Sequence, residues 1–266
     1  MTIQEITKLL EIWAPLRLAE SYDNPGLLTG DPATKVTGIL ICLDSTEEVV
    51  QEAIDKGCNL IVAHHPIIFS GLKKLNGANY VERAVIRAIR HGIALYAFHT
   101  NLDNILNGVN YKIANLLGLH DMYVLQPHPV DDPALIMPNG SGIIGGLIKP
   151  LSEKDFLQHV KNTLQLKVIR HSAFTGKPVS RVALCGGSGR FLIPAAHKTK
   201  ADVYLTSDLK YHDFFDAEGR ILLGDIGHFE SERHTIDLIH DYLIDKSDGT
   251  PLVKTSLITN PVQYFL

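Results

Sequence analysis

Residues 59–66 read Asn59-Leu60-Ile61-Val62-Ala63-His64-His65-Pro66. The apolar run predicts a short strand, and it ends on two adjacent imidazoles before proline locks the chain. One histidine near a strand end is ordinary. Two at the same strand end need a reason, and a divalent metal is the usual one, because neutral imidazole is the commonest protein metal ligand.

Outward from this strand, apolar runs alternate with helical patterns. Residues 36–43 predict a strand, after which Ser45 or Thr46 caps a helix that runs to Gly57. Residues 80–90 predict a helix, 93–98 a strand and 109–117 a helix closed by Gly118. At the N-terminus Ile3, Ile6, Leu9, Leu10 and Trp13 recur at helical spacing. This rhythm predicts an α/β fold of layered sheets flanked by helices, with much parallel pairing.

Residues 121–148 interrupt the rhythm with Pro127, Pro129, Pro133 and Pro138, then Gly140, Gly142, Gly145 and Gly146. They predict a lobe boundary with hairpin character. A helix follows over 152–164, a strand over 181–185, a helix over 193–197 and a strand over 203–206. A helix over 211–217, a strand over 221–223, a long helix over 231–244 and a last strand over 263–266 complete the chain. Two α/β lobes with the chemistry between them are expected: residues 1–125 with about 245–266, and residues 126–244.

Composition narrows the class. The chain has 266 residues, 45% hydrophobic and 20% charged, which suits an ordinary globular protein. Its formal charge of 25 − 29 = −4 and the lack of a basic stripe argue against nucleic acid as a partner. Three cysteines without a C-x-x-C pair fit a reducing, cytoplasmic setting rather than a disulfide framework. No apolar stretch is long enough to span a bilayer, so no membrane role is expected.

Three polar clusters follow three predicted strands. They are His64-His65, His99-Thr100-Asn101-Leu102-Asp103, and Gly224-Asp225-Ile226-Gly227-His228-Phe229-Glu230-Ser231-Glu232. Ligands of open α/β sheets collect at the carboxyl ends of strands, so these clusters can converge. His228 and Glu232, four apart, share one face if a helix has begun by His228. Neighbouring side chains diverge within a strand, so His64 and His65 are expected to serve two ions, one each, with Asp103 or Glu232 as a bridge. Taken singly, His99 reads as a core histidine and Glu230 and Glu232 as an acidic first helical turn. The combination is what points to metal.

Two glycine clusters differ in context. Gly140-Ser141-Gly142-Ile143-Ile144-Gly145 matches G-x-G-x-x-G but lacks the strand-to-helix setting of a dinucleotide site. Gly186, Gly187, Ser188 and Gly189 fall between a strand and a helix, where backbone amides can hold an anion or form a plain tight turn. His99, Asn101, Asp23, Asp208 and His212 are candidates to orient metal-bound imidazoles, with Asp208, Lys210 and His212 also open to proton transfer.

The chain resembles the YbgI-type, Nif-three-like family, whose members are often named GTP cyclohydrolase I type 2 homologs. The segments carrying the resemblance are Tyr22-Asp23-Asn24-Pro25-Gly26-Leu27, Leu43-Asp44-Ser45-Thr46, Ala63-His64-His65-Pro66, His99-Thr100-Asn101-Leu102-Asp103, Cys185-Gly186-Gly187-Ser188-Gly189, Leu205-Thr206-Ser207-Asp208-Leu209-Lys210-Tyr211-His212 and His228-Phe229-Glu230-Ser231-Glu232. They run in family order over nearly the whole chain. Ser207 stands where a glycine is common and Tyr22 where a tryptophan is common, and the large central insertion of longer members is missing. The resemblance implies two related α/β lobes and a dinuclear metal centre held by His64, His65, Asp103, His228 and Glu232. It further implies a homohexameric ring with the metals facing inward, and GTP or another nucleotide as the small-molecule substrate. The cysteine-free donor set suits two divalent ions of Zn, Fe, Mn or Ni. A metal-dependent hydrolase is the leading expectation; a non-catalytic metal scaffold, metallochaperone or interaction platform is the alternative.

Overall fold

The computed structural model describes residues 1–129 and 138–265. In chain order, α1 (Ile3–Trp13) precedes β1 (Gly26–Thr29), β2 (Ile39–Cys42), α2 (Glu47–Asp55), β3 (Leu60–Ala63), α3 (Tyr80–Arg90) and β4 (Ala94–Ala97). Then come α4 (Thr100–Asp103), α5 (Val109–Leu116), β5 (His120–Pro127), β6 (Gly140–Leu151), α6 (Glu153–Thr163), β7 (Arg170–His171) and β8 (Val179–Ser188). The remainder is α7 (Ile193–Lys198), β9 (Val203–Ser207), β10 (Leu222–Asp225), α8 (His228–Glu232), α9 (Thr235–Leu243) and β11 (Leu252–Lys254). Pro133, one of the expected boundary prolines, lies outside the described residues.

The mixed α/β chain forms two compact units, Met1–Leu102 with Thr235–Gln263 and Asp103–His234 with Tyr264–Leu266. The first division falls at 102/103, earlier than the expected 125/126. The reason is α5, whose Val109 and Ile113 pack against Gly186 of β8 in the second unit. The later division moves from about 244 to 234 because α9 belongs to the first unit, where Tyr242 stacks on Trp13 of α1 at 4.2 Å.

The sheet of the first unit has the order β1-β4-β3-β2-β11, with β11, β2, β3 and β4 parallel and β1 antiparallel. β2, β3 and β4 are buried along their whole length, as parallel strands covered on both faces must be. Leu40, Cys42, Ile61, Ala63 and Leu95 meet Val49, Val50 and Ala53 of α2 and Val85 and Ala88 of α3. Tyr96 and Phe98 alternate with Leu95, and Phe98 packs edge-on against Trp13 of α1. Thr46 and Asn79 start α2 and α3 by accepting hydrogen bonds from Val49 N and Glu82 N.

The six-stranded sheet of the second unit has the order β5-β6-β8-β9-β10-β7. β8, β9 and β10 are parallel, and β5–β6 is the hairpin that the proline- and glycine-rich stretch predicts. Several local expectations change. Residues 211–217 are a 3-10 helix, and the helix expected over 231–244 is two helices, α8 and α9. Residues 263–265 form no strand; the terminal strand is β11, paired with β2. β8 continues through Ser188, so most of the glycine cluster read as lying between a strand and a helix is strand. Among the described residues no helix is long and apolar enough to cross a membrane. All three cysteines are buried and free.

Candidate metal centre

In the first unit the pairing of β2, β3 and β4 ends at Cys42, Ala63 and Ala97, which are in register. Two residues further on stand Asp44, His65 and His99. Parallel pairing thus brings one carboxylate and two imidazoles to one sheet edge, at the carboxyl end of the strands. His64 N and His65 N still donate to Cys42 O and Leu43 O, which fixes the doublet against β2.

His64 is fully buried and His65 partly exposed. Their ring centroids are 4.8 Å apart, and their nearest ring nitrogens lie within 4.8 Å. The doublet was expected to diverge as in a strand. It sits past the end of β3, where alternation no longer applies, and the rings stay together.

His65 Nδ1 is 2.7 Å from Asp44 Oδ1, and Thr259 Oγ1 donates to Asp44 Oδ2. Burial opposes the charge on Asp44, but the hydrogen bonds from His65 and Thr259 and the nearby imidazoles hold its carboxyl below its usual range. An ionised carboxylate only accepts, so Nδ1 carries the proton of this hydrogen bond. Asp44 is the residue that motif reading left without a role. Its signal was its place just after a predicted strand, the same place that marked the histidines.

His99 repeats the device. Its Nδ1 is 2.7 Å from Asp23 Oδ1, while Thr100 N and Oγ1 donate to Asp23 Oδ2. Burial again works against the Asp23 charge, and the bonds from His99 and Thr100 outweigh it and lower its pKa. The His99 ring lies 5.8 Å from that of His64 and 5.6 Å from that of His65. Its φ of 113° is strained for a residue with a side chain, a cost met most often at functional positions. Asn101 Nδ2 donates to Ala14 O and ties α4 to the end of α1.

In the second unit β10 runs into Gly227 and α8. The helix has begun by His228, and His228 Nε2 and Glu232 Oε2 are 3.0 Å apart, as their spacing predicts. His228 Nδ1 is 2.7 Å from Oδ2 of Asp208, the residue that follows β9. Burial disfavours a charged His228, but hydrogen bonds to Asp208 and Glu232 prevail and raise its pKa to about 11. Nδ1 is therefore engaged by an aspartate and Nε2 is turned to Glu232.

The glycine cluster supports this carboxylate. A Cβ on Gly187 would stand 2.2 Å from Glu232 Oε1, and the φ of Gly187 is +62°, so only glycine fits. Gly187 N donates to Ser231 Oγ, Gly186 N to Asn110 Oδ1 and Gly189 N to Thr206 Oγ1. These three amides have their partners inside the unit. Asn110 also donates through Nδ2 to Asp103 O, so one side chain links Asp103 to the glycine strand. Burial and the charges of Asp103 and Glu232 push up the pKa of the Cys185 thiol, which both carboxylates approach.

Asp208 is placed as an orienting partner of His228. His212 is exposed on the 3-10 segment, and its ring contacts are with Tyr211 and Phe215. Lys210 N donates to Asp213 in the same segment. His212 lies in the 3-10 segment and Lys210 is its N-cap.

The donor set fits divalent metal. An imidazole whose Nδ1 is held by a carboxylate is the usual environment of metal-bound histidine, with Nε2 as the ligating atom. His228 Nε2 and Glu232 Oε2, 3.0 Å apart, are a donor pair at which a cation would take the place of the proton on His228.

Comparison with known proteins finds relatives over nearly the whole length. The Duf34/NIF3 (NGG1p interacting factor 3) family model matches residues 1–261. A Lactococcus lactis subsp. lactis protein named GTP cyclohydrolase 1 type 2 homolog is 36% identical over 266 residues, covering 98% of each chain. A Clostridium perfringens protein of the same name is 34% identical over 250 residues, covering 94% of each. A hypothetical protein of Staphylococcus aureus has a similar solved structure, with TM-score 0.90 and 30% identity, covering 100% of this chain and 99% of that one. The Bacillus cereus protein related to NIF3 has TM-score 0.90 at 26% identity, with the same coverage.

Proposed function

The chain belongs to the Duf34/NIF3 family, and from that premise we propose that it is a metal-dependent hydrolase with a dinuclear centre. The proposed ligands of the two divalent ions are His64, His65, Asp103, His228 and Glu232. The observation that carries the reading is a device built twice. In each unit an aspartate after one parallel strand holds Nδ1 of a histidine after the neighbouring strand: Asp44 for His65, Asp208 for His228.

Bound divalent metal supplies Lewis acidity and activates water at neutral pH. The chain's own residues do the rest. Asp44 and Asp208 fix the tautomer and orientation of the two imidazoles. Gly187 and Ser231 keep Glu232 in place. His99, braced by Asp23, is the group we assign to proton transfer at Nε2, because its ring adjoins those of His64 and His65. The relatives' name makes GTP the first substrate to test.

The test is turnover by metal-loaded protein on GTP and on a panel of phosphate and carboxylate esters. Hydrolysis by the wild-type chain, abolished in Glu232→Gln and His64→Ala with unfolding midpoints unchanged, is the expected result. Absence of turnover on every substrate would overturn the enzyme reading and favour a metal-binding scaffold.

A further inference from the structure

We infer that Thr259 is a positioning residue of the metal centre, and that the segment after β11 clamps Asp44 and, through it, the His65 ring. The inference rests on the metal-centre reading for the role of His65. No motif points to Thr259, which lies 215 positions from Asp44 in the chain.

Each oxygen of Asp44 has its own partner. Oδ1 holds Nδ1 of His65, and Oδ2 accepts from Thr259 Oγ1. His99 is braced in the same pattern. Asp23 Oδ1 holds its Nδ1, and Asp23 Oδ2 accepts from Thr100 Oγ1. The threonine that serves His99 is its chain neighbour, whereas the one that serves His65 comes from a distant segment. A carboxylate that gives one oxygen to an imidazole can still turn about its Cβ–Cγ bond, because that torsion is broad. A hydroxyl on the second oxygen opposes the turn and fixes the plane in which the imidazole is held. Asp44 depends on this brace more than Asp23 does. Its side chain is 33% exposed against 0% for Asp23, and Asp23 has a further donor in Thr100 N.

The segment that carries Thr259 is anchored independently of Asp44. Thr255 N donates to Ile41 O of β2, while Thr255 Oγ1, Ser256 N and Ser256 Oγ donate to Glu52 of α2. On the other side, Pro261 fixes its own φ and favours extended backbone at Asn260. Residues 255–265 form no helix or strand, and Ile258 is 82% exposed. Docking of the segment near Thr259 therefore rests on hydroxyls and carboxylates rather than on apolar burial. Since the Glu52 anchor does not involve Asp44, loss of the Thr259 hydroxyl leaves the segment in place and removes only the brace. Thr259 and Pro261 also line one cleft of the first unit together with Asp44 and His65, so the brace stands beside the proposed ligand.

The experiment measures the Zn²⁺ affinity of the full chain by competition with a chromophoric chelator. Thr259→Val keeps the shape of the side chain and removes the hydroxyl; Thr259→Ser keeps the hydroxyl. Thr259→Val should bind Zn²⁺ about three- to tenfold more weakly, a smaller loss than that of a direct imidazole partner because it acts one hydrogen bond further out. Thr259→Ser should bind like the wild type, and the unfolding midpoints of the metal-free proteins should agree. Asp44→Ala removes the acceptor, so on that background Thr259→Val should bring no further loss. The inference is overturned if Thr259→Val binds Zn²⁺ like the wild type, if Thr259→Ser loses as much as Thr259→Val, or if the full loss recurs on the Asp44→Ala background. A wild-type chain that binds no Zn²⁺ refutes the metal centre and the inference with it. A wild-type chain that binds Zn²⁺ no better than Thr259→Val refutes the clamp and leaves the centre standing.

Discussion

Asp44 and Asp208 each act through one hydrogen bond of 2.7 Å to a histidine Nδ1. Asp44→Asn keeps the shape of the side chain and removes its charge. The variant is expected to lose about ten- to a hundredfold in metal affinity, as orienting partners do, while its unfolding midpoint stays near that of the parent. Titration against a competing chelator reads this directly, and unchanged affinity would leave Asp44 with no part in holding metal. The pH dependence has a fixed sign. His228 with a pKa of about 11 binds a proton that metal must displace, so metal affinity rises with pH across the neutral range. At this scale the five proposed ligands come from the family resemblance, and the histidine doublet stands just past an apolar run. Asp44 was hidden because it precedes Ser45 and Thr46 and reads as part of a helix cap. The partners of the glycine cluster's amides, Asn110, Ser231 and Thr206, come from three other elements that a linear reading does not place.

At the level of elements, α2 is bound to the segment after β11 through one side chain. Glu52 accepts from Lys56 Nζ, Thr255 Oγ1, Ser256 N and Ser256 Oγ. Burial opposes its charge, but these bonds prevail and lower its carboxyl from 4.5 to about 2. A depressed carboxylate adds stability that is fully present above the unfolded-state value and is lost as pH falls towards the folded one. The parent chain should therefore lose stability between about pH 4.5 and pH 2 in part through Glu52. Glu52→Gln should be less stable at pH 7 and show a flatter decline over that window. Urea unfolding at several pH values checks this, and parallel curves for the two proteins would refute it. The same residues show why the last strand was misplaced. Val253 pairs with Leu40, but β11 is only three residues long and partly exposed, so its periodicity is too short to read. The strand order along β2, β3 and β4 was legible because each is fully apolar and each is followed by a capped helix or a polar cluster.

For the whole molecule, the α/β class and two units followed from the alternation of strands and helices. The unit boundaries did not, because α5 and α9 could have packed on either sheet and only tertiary contacts such as Trp13–Tyr242 decide it. Assembly into a homohexameric ring is proposed from the family resemblance; light scattering should give six chains per particle, and a monomer would contradict it. The most direct test of the proposed centre is the metal content of the full chain. Elemental analysis of protein purified without added metal and without chelators should find close to two divalent ions per chain, falling in the Glu232→Gln variant. A wild-type chain that carries no divalent ion, and takes up none when Zn, Fe, Mn and Ni are offered in turn, would contradict the proposed centre.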